Sequence, residues 1–150
     1  MKTGATVRKR CDPIAFAEAV KHFPLDFGQI ENVHSTPNDG HVGAFSFGKV
    51  TGIAIGIFAG ADIELGSVSP AKWKMDMQVP AHKEASKARA SQLFPHCTAG
   101  WARALDHGRA EAAVIALYGG IKLGLKPTQP FQLGLINGEV PKPKKTAHAK

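Results

Sequence analysis

The side chains best suited to chemistry lie in the segment Asp106-His107-Gly108-Arg109-Ala110-Glu111. His107 and Glu111 are four residues apart, so they share one face of a helix. Asp106 precedes Glu111 by five residues and reaches the same site only if its side chain turns back from the helix start. Carboxylates and an imidazole are the side chains that most often transfer protons, but this segment alone specifies no particular chemistry. The alternative for Asp106 is purely structural, as the N-terminal cap of the last helix.

A further carboxylate, Glu31, stands near the end of an apolar segment, residues 27–33, that predicts a strand. Open α/β sheets place their sites beyond the carboxyl ends of the strands. Glu31 is therefore a second candidate catalytic residue. Taken alone, however, Glu31 is better explained as an edge residue that faces solvent.

The elements that must position these residues alternate between helix and strand. Asp12 and Pro13 predict a helix start, and Pro24 predicts its end. Gly119 and Gly120 predict the end of the last helix. The predicted elements are a helix from Pro13, a strand over 27–33, a helix over 44–59, a strand over 63–68, a short helical turn over 70–75, and helices over 83–94 and 107–118. This order is typical of an α/β domain with parallel strands.

Two strands are too few for such a domain, because a two-stranded sheet is only marginally stable alone. The sequence looks like most of an α/β domain whose opening segment is missing. We expect one such domain over residues 1–136, followed by a disordered, basic, Pro/Lys-rich tail over 137–150.

The formal charge of +7 and the isoelectric point near 9.6 favour a polyanionic partner, although tail lysines supply part of this charge. Cys11 and Cys97 fit no disulfide framework or zinc spacing, and no signal peptide is visible. The apolar run 50–61 is too short to span a bilayer. A soluble cytoplasmic protein without membrane partner or organic cofactor is therefore expected. No nucleotide-binding glycine loop, Ser/His/Asp arrangement or zinc constellation is present.

Several segments taken together resemble the RuvC-like crossover junction endodeoxyribonucleases of phages and bacteria. The resemblance covers roughly residues 10–120 in the order of that family. The segments that carry it are IENVHS at 30–35, FSFG at 45–48, PAKWK at 70–74, KEASKAR at 83–89, LFP at 93–95, DHGRAEA at 106–112 and ALYG at 116–119.

The resemblance implies a ribonuclease-H-like fold, with a mixed central sheet flanked by helices. It also implies a homodimer that cuts branched double-stranded DNA, such as Holliday junctions, with Mg²⁺ or Mn²⁺ during recombination and repair. By position, Glu31 and Glu111 would hold metal. Asp106 or His107 would assist as a ligand or by positioning water, since Gly108 stands where some relatives have an acid.

The resemblance further implies that the region around the 83–94 helix contacts DNA. Lys83, Ser86 and Arg89 recur at three-residue steps on one side of that helix, and Lys74 is a further DNA-binding candidate. Contacts to phosphate position the DNA without reading its sequence. A solvated basic face is the simpler alternative. Trp73 is expected to be a packing anchor rather than a platform for base stacking.

Members of this family begin with a hydrophobic strand that ends in an aspartate and provides the first metal ligand. In this sequence the first aspartate is Asp12, which starts a helix. Two explanations remain open: Met1 is an internal start of a longer, active nuclease, or the product is a truncated and inactive remnant. The functions under consideration are therefore a junction endonuclease, a non-catalytic DNA-binding protein, or an α/β partner-binding module.

Overall fold

The computed structural model describes residues 11–36, 38, 40–82 and 84–124. The chain divides into two compact units, Met1–Ser67 and Val68–Lys150. The predicted boundary between a domain and a tail at residue 136 lies outside the described residues, as does the Lys83 side chain.

The first unit opens with helix α1, Pro13–His22. Its start is the predicted one: Asp12 Oδ1 accepts hydrogen bonds from the backbone N–H groups of Ile14, at 2.9 Å, and Ala15, at 3.1 Å. Proline at the first helical position loses nothing, because that N–H has no partner inside the helix. The helix ends just before Pro24, so both predicted ends are confirmed.

A strand–helix–strand segment completes the first unit. Strand β1, Phe27–Glu31, and strand β2, Glu64–Val68, form a parallel two-stranded sheet joined by helix α2, Gly40–Gly60. Helix α2 packs on this sheet at Gly28, where an added Cβ would collide with the Phe58 ring. Both predicted strands and the mixed α/β class are thus confirmed, and the described residues are mostly helical.

Helix α2 is longer and more exposed than expected. It begins at Gly40, four residues before the predicted start at residue 44, and an 18-residue window has a mean hydropathy of 1.6 with 6% of the window buried. By length and composition α2 could cross a membrane. This corrects the prediction that the apolar segment is too short to span a bilayer, which considered residues 50–61 only. Both ends of α2 lead into strands that pair with each other, as in a crossover helix of a parallel sheet.

Within residues 68–82 and 84–124, the second unit contains three α-helices and two short 3₁₀ segments around one core. The elements are α3 (Pro70–Asp76), α4 (Ala85–Leu93), 3₁₀ segments at Pro95–Trp101 and Ala104–Asp106, and α5 (His107–Lys122). Trp73, Leu93 and Val114 are the largest fully buried side chains. Trp73 is therefore a packing residue, as predicted.

The predicted stop of the last helix at Gly119-Gly120 is wrong, since α5 continues to Lys122. Glycine costs about 1 kcal/mol in a helix interior, but Gly119 is buried and Ile121 packs on the core. Tertiary packing therefore outweighs the propensity. The helix ends before Gly124, whose φ of 81° is the left-handed conformation typical of a glycine after a helix.

Candidate functional site

The second unit brings together three of the predicted site residues around the Glu111 carboxylate. The Ser86 hydroxyl donates a hydrogen bond to Glu111 Oε1 at 3.0 Å, and Lys74 Nζ lies 3.8 Å from the same oxygen. These residues come from α4, α5 and α3, respectively. We call this group the Glu111 cluster (Glu111, Ser86 and Lys74).

The Glu111 cluster lies partly at the surface. The side chains of Lys74 and Glu111 are 39% and 36% exposed, whereas Ser86 is buried. A carboxylate held at one oxygen by a hydroxyl and an ammonium keeps its other oxygen able to accept a proton or face a cation. The Lys74 ammonium can in addition attract a phosphate. The arrangement can therefore take part in chemistry at a phosphodiester backbone.

Asp106 occupies a different environment from the one expected. Its position precedes α5, but its side chain makes no capping hydrogen bond to that helix. Instead, Arg103 donates from Nε to Asp106 Oδ2 at 3.0 Å, from Nη2 to Oδ1 at 2.9 Å, and from its backbone N–H to Oδ2 at 3.1 Å. A bidentate contact between a guanidinium and a carboxylate pairs two opposite charges, which a capping bond from a backbone N–H does not. The expectation that Asp106 caps the last helix is therefore wrong.

The Arg103 contact also fixes the charge of Asp106. Hydrogen bonding to the Arg103 guanidinium lowers the pKa of Asp106 from 3.8 to about 2. Three hydrogen bonds from Arg103 occupy most of the acceptor sites of this carboxylate, and what remains for a further partner is one site on Oδ1.

His107 begins α5, one helical turn before Glu111, as the spacing predicted. Its ring is partly buried, and Nδ1 is buried without a hydrogen-bond partner among the described residues. A buried nitrogen without a partner is uncommon, because its desolvation is not compensated. Of the two candidates for an assisting role, His107 is therefore the less constrained by existing bonds.

The side of α4 that was expected to meet DNA is buried at two of its three positions. Arg89 is 6% exposed, and its Nε donates to the Met77 carbonyl at 2.7 Å. Burial lowers the pKa of the Arg89 guanidinium. Arg89 thus ties α4 to the loop after α3, and a direct phosphate contact would require its exposure. Ser86 faces Glu111 rather than solvent, so the alternative of a solvated basic face is also wrong at these two positions.

Glu31 is the last residue of β1, which confirms its predicted place at the carboxyl end of a strand. It is partly buried and belongs to the first unit, whereas the Glu111 cluster belongs to the second. Across residues 11–36, 38, 40–82 and 84–124, no three His, Cys, Asp or Glu side chains form a group able to hold a metal ion.

The two units differ in net charge, and the formal charge of +7 for the whole chain does not show this difference. Residues 1–67 contain six Lys and Arg against seven Asp and Glu. Residues 68–150 contain thirteen against five. The excess positive charge that favours a polyanionic partner therefore lies in residues 68–150. Residues 68–124, which carry the Glu111 cluster, contain eight Lys and Arg against four Asp and Glu, and the rest of the excess lies in residues 125–150.

The Arg103–Asp106 pair makes the second unit sensitive to acid. Because the pKa of Asp106 is about 2 in the folded chain and 3.8 ordinarily, folding gains stability above pH 3.8 and loses it as the pH falls toward 2. We expect Arg103→Ala to raise the Asp106 pKa and to move acid unfolding, followed by circular dichroism, to higher pH. Arg109→Ala, which removes an exposed arginine three residues after Asp106, should move it much less. Equal shifts in the two variants would contradict the assignment.

Comparison with known proteins gives one partial similarity. No protein-family model matches this chain. The chain is 32% identical, over 94 residues, to the chloroplastic Holliday junction resolvase MOC1 of Chlamydomonas reinhardtii. The matched region is 61% of this chain but 11% of that protein, so the chain spans about a ninth of the relative's length. This supports a relationship to a resolvase family, without distinguishing the bacterial or phage type within it.

Proposed function

We propose that this chain is a nuclease for branched DNA, of the RuvC-like crossover junction type with a ribonuclease-H-like fold. The observation that carries the proposal is the 94-residue similarity to a Holliday junction resolvase. The parallel strand–helix–strand segment is compatible with that fold class.

The geometry of the second unit supports the same function. The three residues of the Glu111 cluster are predicted site residues that lie in separate segments of the sequence, and the fold brings them within hydrogen-bond or ion-pair distance. The cluster lies in the part of the chain with the excess positive charge. A positive surface supplies most of the non-specific affinity of proteins for DNA. A carboxylate beside a phosphate-attracting ammonium is suited to act at the DNA backbone.

Dependence on Mg²⁺ or Mn²⁺ belongs to the proposal because the family resemblance implies it. Two-metal sites use several carboxylates to hold two ions roughly 3.5–4 Å apart. The Glu111 cluster contains one carboxylate, and its nearest charged neighbour is the Lys74 ammonium. These residues by themselves do not fit such a centre, and we assign no catalytic step to a metal here.

The remaining parts of the proposal, recombination and repair in the cytoplasm, follow from the family resemblance alone. A homodimer is supported by the exposed apolar face of α2, where Phe45 and Val42 are 76% and 67% exposed. Gly48, Gly52 and Gly56 recur every fourth residue on the same helix, and a Cβ built at each meets no atom within 4 Å, so a second backbone has room to approach. Sedimentation over a range of concentrations would detect the dimer, and a monomer throughout would contradict it.

DNA binding without cleavage is a second candidate, favoured by one observation. The Lys74–Glu111 ion pair partly neutralises the carboxylate on which cleavage would depend. This candidate predicts salt-sensitive affinity for DNA without strand scission.

Competition binding tests the part of the proposal that both candidates share. A labelled four-way junction is bound to the chain and displaced by unlabelled junction or by linear duplex of the same sequence. We expect the junction to compete about tenfold better, a preference of about 1.4 kcal/mol. Equal competition by both DNAs would contradict a branched-DNA function.

A further inference from the structure

Beyond the Glu111 cluster, the second unit carries another group of charges, where α3 meets the end of α5. Lys72 Nζ contacts both carboxylate oxygens of Asp76 at 2.7 Å. Lys122 Nζ approaches Asp76 Oδ2 at 3.5 Å and lies 5.3 Å from the centre of the Tyr118 ring. We call these residues the Asp76 triad (Lys72, Asp76 and Lys122). It was not among the sites predicted from sequence.

We propose that Lys72 and Lys122, held by Asp76 beside the end of α5, together bind one phosphate of the DNA backbone. This inference rests on the proposed function and adds a second phosphate position to it. A depression of about 280 Å³ lies at the triad, lined by Lys72, Asp76, Met77, Tyr118, Ile121 and Lys122.

The charge balance of the triad favours an anion. Two ammonium groups share one carboxylate, which leaves one excess positive charge at the surface. Each ammonium has three N–H donors, so neither exhausts its donors on Asp76. The side chains of Lys72 and Lys122 are 49% and 56% exposed, and their head groups can reach a phosphate without unfolding the helix ends.

Asp76 also lowers the cost of binding. Ordering a free lysine side chain costs up to about 2 kcal/mol in rotamer entropy. In the triad, both lysine head groups are already drawn to one carboxylate, which is 23% exposed. The hydrogen bond from Lys72 lowers the pKa of Asp76, which keeps this carboxylate charged near neutral pH. A phosphate therefore meets a partly ordered pair of donors.

The two phosphate positions would follow one helix. Lys74 reaches Glu111 near the start of α5, and the triad lies at Lys122 near its end. Eleven residues separate these points, which at 1.5 Å per residue is a helical rise of roughly 16 Å. The two positions therefore lie along α5 at a spacing that phosphates of one bound DNA can match, with Lys74 and Lys72 projecting from different sides of α3.

The experiment measures how DNA affinity falls with salt, using the full chain and a labelled four-way junction. Each phosphate neutralised contributes about 0.9 to the slope of log affinity against log salt. We expect the double variant Lys72→Ala, Lys122→Ala to lower that slope by about 0.9, because one phosphate contact is lost. The control Lys21→Ala, Lys49→Ala removes two exposed lysines of the first unit and should leave the slope unchanged.

An unchanged slope in the Lys72 and Lys122 variant would overturn the inference, and so would a loss of about 1.8, which indicates two separate phosphates. If the original chain itself shows no salt-sensitive DNA binding, the proposed function fails instead. The pair Lys72→Gln, Lys122→Gln removes both charges but keeps the first two methylenes of each side chain, and it replaces the alanine pair if that variant melts early. Calorimetric titration of the chain with inorganic phosphate alone should give no saturable binding. If free phosphate binds and this binding is lost in the Lys72 and Lys122 variant, while the salt slope for DNA stays unchanged, the DNA contact is refuted.

Discussion

Glu111→Gln should leave junction binding nearly intact and reduce junction cleavage by roughly 10²–10⁴-fold, the usual contribution of a positioned acid or base. Glutamine has nearly the same shape, and its carbonyl oxygen can still accept the hydrogen bond from Ser86, which is 3.0 Å from Glu111 Oε1. The substitution therefore removes the negative charge while keeping the local contacts. It also releases Lys74, 3.8 Å away, from its ion pair, so DNA affinity should rise slightly rather than fall.

Glu84→Gln is the matched control, since it makes the same chemical change at an exposed acid preceding α4. Cleavage of a labelled junction and binding of the same junction are measured for the original chain and for both variants. A Glu111→Gln protein that binds and cuts like the Glu84→Gln protein would show that Glu111 is not needed for catalysis. In that case the Glu111 cluster would be a structural or DNA-binding feature only.

Trp73→Ala should destabilise the second unit by about 3–5 kcal/mol, the usual cost of truncating a large core aromatic residue. Trp73 is fully buried in α3, in the same core cluster as Leu93 and Val114. Removal of the indole leaves a cavity among helices that cannot fully collapse onto it. Since small domains are stable by only about 5–15 kcal/mol, this loss is a large share of the free energy of unfolding.

Urea denaturation, followed by circular dichroism, measures this loss. Met75→Ala is the control on the same helix, because Met75 is 67% exposed and its truncation should change the unfolding free energy by less than about 0.5 kcal/mol. The same experiment separates the two roles considered for Trp73. A Trp73→Ala protein with normal stability but weakened DNA binding would contradict the packing role and support base stacking.

Local signals predicted the elements of this fold well. Asp12 and Pro13 determine a helix start through neighbouring atoms alone, and the predicted cap is the observed one. The end of α5 was harder, because Gly119 is tolerated by packing against residues distant in sequence. Gly124, which has a left-handed backbone conformation, marks the actual end of the helix. From the sequence alone it could not be distinguished from Gly119 and Gly120, which are equally plausible helix ends.

The candidate site could be predicted only in part. Spacing identified Glu111 and His107 as neighbours on one helix, and the resemblance added Lys74 and Ser86. Three-residue spacing of polar side chains could not reveal that the Arg89 side of α4 is buried, because that depends on which helices pack against it. The Arg103 partner of Asp106 was also missed, although a three-residue separation between opposite charges is a signal that sequence provides.

The most direct test of a branched-DNA nuclease is cleavage itself. A four-way junction and a linear duplex of the same sequence, each end-labelled, are incubated with the chain and Mg²⁺, and parallel samples contain EDTA. The proposal predicts strand scission in the junction alone, abolished by EDTA. A chain that binds the junction but leaves it uncut with Mg²⁺ or Mn²⁺, or that cuts the duplex equally well, would contradict the proposal.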